Sequence, residues 1–267
     1  MKKAGKISIT LLFFISLLSF SAPLISPYDP NKIDLDSIKE PPSLQHIFGT
    51  DNKGRDIFSR ILYGGKISIS VAIVAAFLSM GIGLIVGLCS GYFGGKIDTC
   101  IMAIVDLILS FPAFLLAIGI TVVLPPGIYT VMMAIAAVGW TSFARLIRGH
   151  ILTIKETTFV EAAKALGCSR IRILFVHLMP QCVPLLLVMT GLKLGSYILT
   201  EASLSFLGLG AQPPTATWGS MVSANRAYIS TAPWMILFPG LMIAITALCF
   251  NALGDALRDR YDLKIKW

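Results

Sequence analysis

The chain has 267 residues, of which 55% are hydrophobic and only 13% charged, with a mean hydropathy of +0.80 and a formal net charge of +8. One soluble core cannot hide that much apolar surface, so a water-soluble enzyme or binding domain is excluded and a bilayer is the expected environment. The basic residues are scattered between apolar runs, with no continuous stripe and no interleaved aromatics, which argues against a nucleic-acid partner.

A helix needs about 20 apolar residues to cross the hydrocarbon layer. Six stretches meet or approach that length, at 7–25, 67–93, 99–124, 128–144, 182–200 and 234–253. The first resembles a signal peptide, with Lys2, Lys3 and Lys6 ahead of an apolar run and Ser19-Phe20-Ser21 before Ala22. Its uncharged run continues to Ile25, which favours a retained helix. Only Asp106 interrupts the third stretch and only Lys193 the fifth.

Six spans place both termini on one side. If that side is the cytoplasm, its loops and tails hold Lys2, Lys3, Lys6, Lys96, Arg145, Arg148, Lys155, Lys164, Arg170, Arg172, Arg258, Arg260, Lys264 and Lys266, fourteen in all. The outer segments hold six, namely Lys32, Lys39, Lys53, Arg55, Arg60 and Arg226. The excess of basic residues in inner loops predicts cytoplasmic termini. The expected organisation is a tail and first span over 1–26, an external loop over 27–65, a five-helix core over 66–260 and a cytoplasmic tail over 261–267.

Residues 26–66 are rich in Pro and Asp, including Pro27-Tyr28-Asp29-Pro30 and Pro41-Pro42, and predict turns and extended chain. The compact mixture of acid, base and glycine from Gly49 to Arg60 reads as a turn that fixes the start of the second span. That span carries Gly81, Gly83, Gly87 and Gly91, and Gly83 and Gly87 form a small-xxx-small face suited to close helix approach. Pro112, Pro184 and Pro239 are expected to kink or start helices. Intramembrane charges are candidates for function by default, so Asp106, Lys193 and Glu201 are marked for a role in a pathway or in pairing within the bundle.

The loop over 148–181 is the longest charged stretch on the inner side. Residues 156–165 are good helix formers, Gly167 is a natural stop, and Ser169 can cap a second helix that runs toward Pro180. Two short helices separated by a glycine are expected. Phe159, Val160, Ala162, Ala163 and Leu166 give them an apolar character that suits a partner surface better than a solvated linker.

No catalytic or metal site is signalled. The five cysteines, Cys89, Cys100, Cys168, Cys182 and Cys249, lie in or beside apolar runs without a CxxC pair. The three histidines, His46, His150 and His177, fall on different sides of the membrane. Each Gly-Lys pair is followed by isoleucine, so the phosphate loop of an ATPase is missing from the sequence.

Glu161-Ala162-Ala163, then Gly167 after three residues and Pro180 after twelve more, resembles the EAA loop of membrane subunits in binding-protein-dependent ABC importers. The match is to the dipeptide, oligopeptide and nickel permease family. It extends to Gly49-Thr50-Asp51, Gly54-Arg55-Asp56, Ser59-Arg60, Ser205-Phe206-Leu207-Gly208-Leu209-Gly210, Gln212-Pro213-Pro214, Trp218-Gly219, Asn251, Leu253-Gly254-Asp255 and Leu257-Arg258-Asp259. Departures are small: Met179 stands where leucine is usual and Gln181 where asparagine is common.

The resemblance implies an all-α, six-span permease of the type I importer kind, in the inner membrane of a bacterium. A coupling helix containing Glu161, Ala162 and Ala163, with Gly167 and Pro180 behind it, would dock on a separate ATP-binding subunit. It further implies that ATP and Mg are bound by that subunit and no cofactor by this chain, that a second homologous permease forms a heterodimer with it, and that an external binding protein delivers the cargo. Peptides come first as cargo and nickel or another metal complex second. An intramembrane enzyme using Asp106, or a scaffold that only recruits an ATPase, belongs to a different class; Asp106 has no second catalytic group at its depth.

Overall fold

The computed structural model describes residues 3–261, and the side chains of 5–261. Lys2, Lys264, Lys266 and most of the expected tail over 261–267 lie outside the described residues. The regular elements of the described chain are all helices, apart from a single isolated bridge between Thr50 and Asp56.

The N-terminal helix α1 (Lys3–Phe20) is followed by the short α2 (Ala22–Ile25), and both lie against α3 (Ile57–Phe93). Helices α4 (Gly95–Leu109) and α5 (Ala113–Val123) come next, then α6 (Ile128–Ile154) and the short α7 (Thr158–Ala165). From Arg170 the chain is helical to Phe206, through a first turn α8 (Arg170–Arg172), a π-helical turn (Ile173–Leu178) and α9 (Met179–Phe206). Helix α10 (Trp218–Asn225) and the long α11 (Trp234–Arg260) complete the fold.

Among the described residues, four continuous helices are long and apolar enough to cross a membrane: α3, α6, the 170–206 run and α11. A further apolar pair, α4 with α5, is bent by 87° at the break between the two helices. Helix α1 has 18 residues and is the shortest of the apolar elements expected to span. The six stretches read from the sequence are therefore all helical, but only four are unbroken helices of spanning length. The bend falls at Ser110-Phe111-Pro112, where Pro112 starts α5 with extended backbone, so the expected kink is a sharp turn between two half-helices.

Helix α3 starts at Ile57, nine residues inside the expected external loop. The reason is its cap: the Asp56 carboxylate accepts the Ser59 N–H at 2.7 Å and the Ser59 hydroxyl at 2.6 Å. The other Asp56 oxygen meets His46 Nδ1 at 2.9 Å, which ties the cap to the preceding loop. Asp51 accepts the Arg55 Nε–H at 2.8 Å, and Arg60 donates to the Pro30 carbonyl at 2.7 Å. All of these groups except Pro30 are buried, so the 49–60 motif is an ordered plug that sets where α3 begins.

The centre of the bundle is the contact of α3 with α6. A Cβ placed on Gly83 would lie 2.4 Å from Phe143 Cβ, one on Gly87 2.7 Å from the Ala144 carbonyl oxygen, and one on Gly91 2.8 Å from Ile151 Cβ. Glycine every fourth residue on α3 thus lets α6 rest directly on its backbone. Gly81, placed by the sequence in the same series, faces open space. Outward-facing apolar side chains such as Val123, 84% exposed, are those a bilayer would cover.

Two substitutions separate the roles of these glycines. Gly87→Leu is expected to destabilise the protein by about 1–3 kcal/mol, because the side chain must displace α6. Gly81→Ala is expected to be neutral or stabilising by up to about 1 kcal/mol. Thermal unfolding of both variants in detergent checks the contrast, and equal effects would refute it.

Candidate functional site

The loop joining α6 to the 170–206 run is shorter than the 148–181 expected from sequence, because α6 continues to Ile154 and the next helix starts at Arg170. Within it, α7 is amphipathic. Val160 and Ala163, three residues apart, are buried with Ile147, Ile151, Ile173 and Leu178. Glu161, Ala162, Lys164 and Ala165 are exposed. Phe159 and Leu166 are also exposed, Leu166 at 84%.

Helix α7 ends as its sequence dictates. The Gly167 N–H donates to the Lys164 carbonyl at 3.0 Å and the Cys168 N–H to the Ala163 carbonyl at 3.1 Å. This pair of bonds closes the helix in the Schellman pattern and needs the left-handed backbone that Gly167 adopts, with φ +76. Ser169 then caps the next helix by accepting the Arg172 N–H at 3.3 Å.

That next helix differs from expectation. It does not stop before the membrane stretch but runs on past Pro180, which is exposed in the first turn of α9, to Phe206. The π-helical turn over Ile173–Leu178 carries the chain into the proline. The loop therefore contains one short helix and the foot of a long one, not two short helices.

The platform under α7 is held by charge. Arg148 of α6 grips Asp98 of α4 with two bonds of 2.6 Å, Nε to Oδ1 and Nη2 to Oδ2, and Ser90 of α3 donates to the same carboxylate. Lys155 donates to the Gly91 carbonyl at 3.2 Å, joining the end of α6 to α3. His150 Nε2 lies 3.2 Å from the Gln181 carbonyl oxygen. Asp98, Arg148 and Lys155 were not singled out as site residues from sequence. The signal available was their position just past the apolar stretches.

The three marked charges fall in different surroundings. Asp106 is not inside the bundle: its side chain is 65% exposed and pairs with Arg145 of α6. Helix α4 lies at the edge of the bundle, so an apolar sequence around Asp106 does not enclose it. Lys193, midway along α9, is partly buried and donates to Ser142 Oγ at 3.2 Å. Glu201 is buried at 1% exposure and accepts the Ser205 hydroxyl at 2.7 Å.

Around Glu201 the remaining sequence motifs converge. The Thr217 hydroxyl and Ser220 form a reciprocal cap on α10, and Trp218 Nε1 donates to the Ile61 carbonyl at 3.0 Å. Gly219 sits so close to α9 that a Cβ would lie 2.2 Å from the Ala202 carbonyl oxygen. Asn52, Lys53, Arg55 and Arg60, with Ser205, Gly208 and residues of the 211–215 and 220–224 stretches, line a cleft of about 230 Å³ at the end of α3 opposite α7. Among the described residues no group of three His, Cys, Asp or Glu side chains could hold a metal ion.

Apolar helices of spanning length with a small amphipathic helix packed at one end define a membrane-embedded helical subunit. The family model described as binding-protein-dependent transport system inner membrane component matches residues 57–267, and the chain belongs to that family. Residues 1–42 match a second model, described as the N-terminal TM domain of oligopeptide transport permease C. The glutathione transport system permease protein GsiD of Escherichia coli O6:K15:H31 is 45% identical over 263 residues, covering 97% of this chain and 87% of the relative. GsiD of Shigella boydii serotype 4 matches to the same extent. In fold, a chain of the MetNI methionine ABC transporter in an inward-facing crystal structure superposes with a TM-score of 0.61 at 19% identity, covering 74% of this chain and 95% of the other.

The end of α7 supplies a test of local design. Gly167→Val is expected to cost about 1–2 kcal/mol, because a branched side chain disfavours the left-handed conformation. Gly167→Asn is expected to cost clearly less. Hydrogen exchange at the Gly167 position and Cys168 amides measures this, and equal protection in the two variants would contradict it.

Proposed function

We propose that this chain forms half of an ATP-driven import path for di- or oligopeptides, with α7 as its mechanical link to an ATPase. The observation that carries the proposal is the form of α7: a buried seam of Val160 and Ala163 fixes it to the bundle, while Glu161 and Ala162 face outward on a low surface that fits a groove in another protein. Gly167 sets its length and the Pro180 region joins it to α9.

In the proposed cycle, an external binding protein delivers cargo to the end that carries the 49–60 plug and α10. A separate ATP-binding subunit binds ATP and Mg, and its closure moves α7. Motion of α7 passes to the 170–206 helix and switches access to the path. A second homologous permease, as a heterodimer partner, supplies the other half. The basic-residue bias supports cytoplasmic termini, which puts α7 on the side of the ATPase.

Peptide cargo is preferred to nickel because the relatives at 45% identity are named for glutathione, itself a peptide, and the N-terminal model for oligopeptide transport. The enzyme reading loses its support at Asp106, which is exposed and ion-paired with Arg145.

Transport of labelled peptide into proteoliposomes containing the assembled system tests the proposal. Glu161→Lys and Gly167→Asp are each expected to lower ATP-dependent uptake by about tenfold or more, as a coupling contact worth at least about 1.4 kcal/mol requires. Uptake unchanged in both variants, or uptake that survives removal of the ATP-binding subunit, would reject it.

A further inference from the structure

Helices α5, α6 and α9, with Leu109 at the end of α4, line a cleft of about 130 Å³ whose polar groups come chiefly from one face of α9. Lys193, Ser196, Tyr197 and Thr200 recur at helical spacing along that face, with Ser142 of α6 opposite and Ala113 of α5 closing one side. The Tyr197 hydroxyl is engaged by Ser79 at 3.2 Å. Among the described residues, the Ser196 hydroxyl makes no hydrogen bond and no carboxylate forms an ion pair with Lys193. The Lys193 ammonium has three donors, and Ser142 Oγ accepts one of them.

An ammonium midway along a spanning helix is costly unless it meets water or a counter-charge. Of the other two intramembrane charges, Asp106 has a counter-charge in Arg145, whereas Glu201 accepts the Ser205 hydroxyl, forms no ion pair among the described residues and lies outside this cleft, with its Oε2 buried and without a hydrogen-bond partner. Lys193 lines an open, concave space and has donors left for an occupant. That space would hold roughly four waters at about 30 Å³ each, enough for a carboxylate and the first atoms behind it, and too little for a bulky side chain. Because the walls belong to four helices of this chain, the occupant enters a preformed notch and need not be part of a flat subunit contact.

We propose that the Lys193 cleft is a transient binding site for the carboxylate of the cargo, with Ser196 and Thr200 as neighbouring hydroxyl groups. This rests on the peptide reading above and adds to it a chemical class and an orientation. A peptide carries a carboxylate at one end and an ammonium at the other; Lys193 attracts the first and repels the second, so the carboxyl end occupies the cleft. One charge with few fixed donors holds the cargo weakly enough to let it go.

The test crosses two peptides with two proteins in proteoliposomes holding the assembled transporter and its binding protein. Dialanine and dialanine amide are compared for wild type and Lys193→Met. The ratio of the two effects cancels the binding protein's own preference. About a tenfold loss confined to the free acid is expected, the size of one charge-assisted bond, and Lys193→Arg is expected to retain transport of the acid. An equal loss for both peptides, or no loss for either, overturns the assignment. Equal loss with separation of the membrane subunits overturns it in favour of a contact with the second permease.

Should Lys193→Met fail to assemble, Lys193→Gln and Ser196→Val take its place in the same comparison. Saturation-transfer NMR of both peptides on the full complex, without binding protein or ATP, reads the cleft apart from uptake. Carboxylate-dependent binding that is lost in the Lys193 variants, with no ATP-driven uptake, would reject the importer reading and keep the cleft. Uptake without a Lys193-dependent signal would do the reverse.

Discussion

The direct contact of the α3 backbone with α6 is the constraint on which the rest of the molecule depends. In a bilayer the hydrophobic effect does not drive helices together, so association relies on close packing. Gly83, Gly87 and Gly91 make that closeness possible over two turns of α3. The same contact brings Arg148 and Lys155, on the last turns of α6, to Asp98 and the Gly91 carbonyl. That platform in turn seats α7. A helix only eight residues long has little stability of its own, and its position is set by Ile147 and Ile151 beneath it.

The opposite end is organised by a different means. There the chain is irregular, and burial of polar groups fixes it: His46 with Asp56, Asp51 with Arg55, Trp218 with the Ile61 carbonyl. Buried polar networks specify one arrangement when every member finds a partner. The bundle thus has a tight apolar waist between a charged foot and a hydrogen-bonded head, and Lys193 and its cleft lie between them.

Much of this was legible in the sequence where the signal is periodic or local. Glycine at every fourth residue, the stop at Gly167 and the cap at Ser169 depend on neighbours within a turn, and each was found, whereas the cap at Asp56, inside a segment read as loop, was not. What was missed depends on distant partners. Hydropathy around Asp106 describes its neighbours along the chain, whereas its exposure follows from the place of α4 at the bundle edge. Pro112 announced a kink, but the 87° bend requires α5 to find α6. Pro180 read as the end of a helix because proline lacks an N–H and crowds the preceding turn. The π-helical turn before it, with its wider hydrogen-bond spacing, lets the helix continue. The anchors Asp98, Arg148 and Lys155 carry no motif, since Asp98 and Arg148 pair across 50 positions of the chain and Lys155 reaches a carbonyl 64 positions away.

The unbroken helix from Arg170 to Phe206 has a consequence for how force could travel. At 1.5 Å per residue its 37 residues make a rod about 55 Å long, nearly twice the thickness of the hydrocarbon layer. A rod resists compression, so a push at its foot must emerge as tilt or rotation farther along, and the face that carries Lys193, Ser196 and Thr200 would swing with it. The π-helical turn near the foot, with Pro184 just beyond it, is a place along the rod where winding can be gained or lost. It would act as a clutch, deciding how much of a small displacement at α7 reaches the far end.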